Sequence, residues 1–158
     1  MHARKIRPPE WRHQDGLTVF EILTVAIVIT VLVGIAVPNF ITSKSRGAEG
    51  VLQTNTRVLR VMLETYKTYY QAYPEDLRTL GRHATEEKYN KSASNPFNGQ
   101  SGIVESGKWA IEYVGTSGPP GVVAYQVLDN NQKYYIFAYT KNGKLMERNG
   151  QVYVSTNG

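Results

Sequence analysis

The chain has 158 residues, no cysteine and a formal charge of +5. Without cysteine, a disulfide scaffold, a thiolate metal site and a cysteine nucleophile are all excluded, and the length allows one ordinary domain or a smaller domain carrying an extension. The charge is a weak argument for nucleic acid: Arg4, Lys5, Arg7 and Arg12 precede Gly16 against Glu10 and Asp15, and beyond Gly16 fourteen basic residues are interspersed with eleven acidic ones.

After Glu21 no charge appears until Lys44, which leaves 22 uncharged positions, most of them Ile, Val, Leu or Ala. As a helix this run covers roughly 33 Å, against a hydrocarbon core of about 30 Å, so it is long enough to span a membrane. Three readings compete for it. A secretory signal peptide would be cut after Gly34-Ile35-Ala36, but the apolar run is long for one and Glu21 has no place in it. A signal anchor would hold a domain outside the cytoplasm; basic residues lie on both sides of the run, so loop charge leaves its orientation open.

The third reading uses the residues the other two leave over. Gly16-Leu17-Thr18-Val19-Phe20-Glu21, followed by the apolar run through Pro38, resembles the type IV pilin and type II secretion pseudopilin superfamily. The resemblance implies a leader over 1–16, cleavage between Gly16 and Leu17 by a prepilin peptidase, N-methylation of Leu17, and assembly roles for Glu21 and Pro38. The implied partners are identical and related pilin subunits, inner-membrane assembly machinery and, before assembly, membrane lipid. The implied location is a single-pass inner-membrane protein that becomes a periplasmic or extracellular filament. Nucleic acid enters only if the filament serves DNA uptake. The missing cysteine pair removes the C-terminal disulfide loop of many surface pilins and leans toward the pseudopilins.

Glu21 also argues from chemistry alone. A carboxylate inside an apolar helix costs about 2.5–3.5 kcal/mol on insertion scales, and intramembrane charges usually mark function. Leader removal creates an amine, and in the family this carboxylate meets the N-terminal amine of a neighbouring subunit. The plainer alternative is that Glu21 sits at the lipid interface and snorkels to water.

The apolar segment is expected over 17–43 and the amphipathic half of the same helix over 44–73. Leu59, Met62, Tyr66, Tyr69 and Tyr73 follow 3-4-3-4 spacing, with Val51, Leu52 and Val58 extending the stripe, which predicts a seam packed against a sheet. Pro74 is expected to end the helix, giving a reach of about 85 Å. The tyrosines could stack bases or carry electrons, but tyrosine at helical spacing is more often packing.

The head is expected over 74–158. Leu77 and Leu80 mark a short helical turn stopped by Gly81, and Tyr73-Pro74-Glu75-Asp76-Leu77 is similar to the segment after the long helix in major pseudopilins. Residues 82–107 read as a connecting loop. Strands are predicted over 108–114, 122–128 and 133–140, then through 145–148 and 151–154, separated by turns that include Asn142-Gly143 and Asn149-Gly150. The fold class is therefore α+β, a long N-terminal helix against an antiparallel sheet of four or five strands.

Signals for other chemistry are weaker. Residues 102–109 approach a phosphate loop, but Trp109 replaces the Ser or Thr that would hold magnesium, and a strand pattern follows where a helix is needed. Asp129, with Asn130 and Asn131, is a calcium candidate that turn chemistry explains as well. His83 stands alone beside Arg82, and no nucleophile, base and orienter gather around it. No enzyme activity and no cofactor are expected.

Overall fold

The computed structural model describes residues 17–103 and 108–157. The chain forms two compact units, one ending at Ile41 and one beginning at Thr42. Helix α1 (Val19–Tyr70) supplies nearly all the described part of the first and opens the second. Over the described residues 17–41 every large apolar side chain is exposed, from Val37 at 49% to Val19 at 84%.

In the second unit α1 becomes one-sided. Leu52, Asn55, Thr56, Leu59, Met62 and Leu63 are buried, and their three- and four-residue steps place them on one face. The two polar members are satisfied: Asn55 Nδ2 donates to the Ser94 carbonyl at 2.9 Å, and Thr56 Oγ1 donates to the Leu52 carbonyl at 3.0 Å. Tyr66 and Val58 are partly buried against the same core, and Tyr73 is 2% exposed within it. Tyr69, expected in the seam, is 54% exposed, and its ring meets His83 at 4.9 Å instead.

The helix ends three residues before Tyr73, and proline is not what ends it. Gln71 takes φ 58°, a left-handed conformation that terminates the helix, while its N–H still bonds the Lys67 carbonyl at 2.8 Å. The exit is then held from the sheet side. Tyr73 N–H donates to the Asn131 carbonyl at 2.8 Å, and Tyr125 Oη donates to the Pro74 carbonyl at 2.6 Å.

Gly81 does not stop the next helix either, which is α2 (Leu77–Glu86). Asp76 caps it by accepting the Thr79 N–H at 2.6 Å, and Glu112 Oε1 accepts the Leu77 N–H at 2.7 Å. The two carboxyl groups respond oppositely to that position. The Thr79 backbone bond holds Asp76 below its ordinary pKa, whereas burial pushes Glu112 up. Buried Leu77, Leu80, His83 and Ala84 continue the helical period past Gly81, so packing carries the helix through a residue that disfavours it by about 1 kcal/mol. A Cβ at Gly81 would meet only Ile103 Cβ, at 3.9 Å. Gly81→Ala should therefore raise the melting temperature by a few degrees in a thermal scan, a stabilisation of about 0.5–1 kcal/mol.

The main sheet contains β1 (Ala110–Glu112), β2 (Val123–Leu128), β3 (Lys133–Ala138) and β6 (Ser155–Thr156), in the order β1-β2-β3-β6. Strands β4 (Glu147–Arg148) and β5 (Gln151–Val152) form a separate hairpin around Asn149-Gly150, both of which have positive φ. The α+β class is the expected one, with a correction to the sheet: β1 pairs with β2 in parallel, Ala110 opposite Val123, so the sheet is mixed. Strands β2 and β3 are antiparallel, with Tyr125 opposite Ile136. One sheet face delivers Val123, Tyr125, Tyr134 and Ile136 to the core shared with Leu59, Met62 and Leu63 of α1. A smaller cluster of Val122, Ala124 and Tyr139 lies apart from it. Gly121 is required where it stands: its φ is +76°, and a Cβ there would come within 2.3 Å of Asn95 Oδ1.

Candidate functional site

The start of α1 is built by two polar side chains. Glu21 Oε2 accepts the Thr18 N–H at 2.7 Å and the Thr18 hydroxyl at 2.8 Å, and Thr18 Oγ1 accepts the Glu21 N–H at 3.2 Å. This is a reciprocal capping box, Thr at the cap and Glu three residues on, which satisfies helix-end donors that an apolar medium would leave bare. Sequence reasoning missed it, although a Thr-x-x-Glu pattern before an apolar run is its signal. Glu21 thus has a local partner for its hydrogen bonds, but none of these groups neutralises its charge.

Beyond the cap the polar side chains fold back on their own helix. Thr24 Oγ1 donates to the Phe20 carbonyl at 2.9 Å, Thr30 Oγ1 to Ala26 at 2.8 Å, and Asn39 Nδ2 to Ile35 at 3.2 Å. A segment whose polar groups are satisfied internally suits a low-dielectric surrounding. Pro38 lies inside α1 and has no N–H for the fourth residue back, yet the helix runs on through it. On length and composition α1 is able to cross a membrane.

Leu17 is 77% exposed just before the helix, while Gly16, the other side of the expected cleavage point, lies outside the described residues, as does the expected leader over 1–16. Residues 104–107 of the phosphate-loop near-match also lie outside them.

The remaining candidates are placed as follows. Asp129, Asn130 and Asn131 form the β2–β3 turn with φ of 52°, 51° and 64°. Asp129 Oδ2 pairs with Lys133 Nζ at 2.9 Å, and no group of three or more metal-ligating His, Asp or Glu side chains occurs among the described residues. His83 is on the buried face of α2 rather than in a loop. Its Nδ1 lies 2.7 Å from Tyr89 Oη, and the rings of Tyr66, Tyr69 and Tyr70 surround it at 4.9–5.3 Å. Burial pushes the Tyr89 hydroxyl up to about 12. Four phenols and one imidazole make an aromatic packing nest.

Compared with known proteins, the chain matches no family model, no curated protein and no solved structure.

Proposed function

We propose that the chain is the structural subunit of a type IV pilus-like or type II secretion filament, cut between Gly16 and Leu17 and polymerised through its N-terminal helix. The observation that carries this reading is the division of labour along α1. Residues 52–63 present a core stripe, whereas every large apolar side chain over 17–41 is exposed, an extent of apolar surface that a soluble monomer does not sustain. Lipid covers such a helix before assembly, and copies of the same helix cover it afterwards.

Glu21 gives the proposed cut its physical reason. Cleavage at Leu17 retains the whole apolar segment and places a new cation within four residues of the carboxylate; cleavage after Ala36 would discard most of that segment and Glu21 with it. Mass spectrometry of the N-terminal peptide should find the mature chain beginning at Leu17 with a methylated amine, and electron microscopy should find filaments containing it. A mature chain beginning anywhere else would sink the reading.

A second reading rests on the span-length helix alone: a single-pass anchor holding a binding module that does not polymerise. It predicts an uncut chain in the membrane fraction and no filaments.

A further inference from the structure

The second unit contains a cleft of about 600 Å³, within the size range of small-molecule sites. One wall is α2, which presents Arg78 and Arg82 one turn apart, with Thr85 beyond them. Lys91, Ser92 and Ser101 also line the cleft, from the segments that follow α2. None of the described residues lining the cleft is acidic, and among the described residues no ion pair engages Arg78, Arg82 or Lys91. Asp76 is near enough for both arginines to help hold its carboxyl down, so it offsets part of their charge from outside the cleft.

Gly81 shapes the same wall. It sits in mid-helix between the two arginines in sequence, where neither a positive φ nor close packing requires glycine, and a Cβ there would meet only Ile103 Cβ, at 3.9 Å, on the same lining. Leu77, Ile103 and the buried face of Trp109 add an apolar lining. Three cations around a concave, partly apolar space repel one another until an anion enters. The arginine fork matches the oxygens of phosphate or carboxylate in pairs.

We propose that this cleft binds a small organic anion carrying two or more phosphate or carboxylate charges, held by Arg78, Arg82 and Lys91. The inference is independent of the filament reading, because every residue it uses lies in the second unit.

The full-length chain in detergent micelles, titrated calorimetrically with inorganic pyrophosphate and with citrate, tests it. At least one should bind saturably at one site per chain. Binding of pyrophosphate alone assigns the phosphate class, citrate alone the carboxylate class, and both a site that reads charge. The double substitution Arg78→Gln with Arg82→Gln should weaken binding at least tenfold. Gly81→Leu should block the space and abolish binding while circular dichroism shows the helix retained, and Lys141→Gln, on the exposed turn after β3, should change nothing. Absence of saturable binding by both anions overturns the proposal, and so does binding that Lys141→Gln weakens as much as the arginine pair does.

Discussion

On the filament reading proposed above, Glu21→Gln should abolish filament assembly, while Thr18→Val should leave filaments present. The pair separates the cap that the carboxylate forms with Thr18 from the intersubunit pairing proposed for it. Glutamine keeps the capping geometry, since its amide oxygen accepts the same Thr18 donors, and it removes only the charge. Valine at position 18 removes the hydroxyl half of the box and keeps the charge, at a cost of about 0.5–2 kcal/mol to the start of the helix. Two unit charges about 4 Å apart at an effective dielectric near 20 attract by about 4 kcal/mol, and a polymer repeats that pairing at every subunit. Losing it should lower the sheared filament fraction, read by immunoblot, by far more than tenfold, with the membrane-inserted pool unchanged. A chain that keeps its leader should behave like Glu21→Gln, because without cleavage Leu17 has no free amine. Filaments from Glu21→Gln together with none from Thr18→Val would reduce the carboxylate to a cap.

That test exists because the sequence and the structure describe Glu21 differently. Read along the chain, an acid among Ile, Val and Leu stands out as a charge, and its cost points to a partner in another molecule. The local partner, Thr18, is equally legible three residues back, as a Thr-x-x-Glu pattern. Periodicity served well where one rule dominates. The apolar run and the stripe through Leu59 and Met62 follow from spacing, and β2 and β3 fall where alternation placed them.

It failed where long-range contacts decide. Gly81 looks like a stop until Leu77, Leu80, His83 and Ala84 are seen to share one buried face, which also moves His83 out of the loop and into its tyrosine nest. Pro74 looks like the end of α1, but the β2–β3 turn holds the exit through Asn131 and Gln132, so the helix breaks earlier at Gln71. Strand β1 lies parallel to β2 because its partner is reached across a ten-residue connection, and a strand pattern carries no record of direction.

The same long-range logic makes Glu64 a sensitive polar position in the second unit. It lies on α1 and accepts hydrogen bonds from two core tyrosines: Tyr73 Oη at 3.1 and 3.2 Å, and Tyr134 Oη at 3.0 Å. Tyr73 is 2% exposed and Tyr134 fully buried, their rings 4.7 Å apart and edge-on, so water is excluded from the Tyr134 hydroxyl and reaches Tyr73 little. Glu64→Leu keeps most of the side-chain volume and removes both acceptors. Leaving two buried donors unsatisfied should cost about 2–4 kcal/mol, with the melting temperature falling by about 10 °C. Adding Tyr73→Phe and Tyr134→Phe to that variant should recover much of the loss, since removing all the partners costs less than stranding some of them. No recovery would mean that Glu64 acts through packing and not through its oxygens. Alkaline pH probes the network independently. Burial first, and Glu64 second, push both phenols above their ordinary range, so the fold favours the neutral hydroxyls. The stability they contribute is complete below about pH 10 and is lost as pH rises through the elevated values. With leucine at position 64 the Glu64 part of the shift is gone, so the variant should lose less stability than the parent across that same alkaline range, measured by denaturant unfolding at each pH.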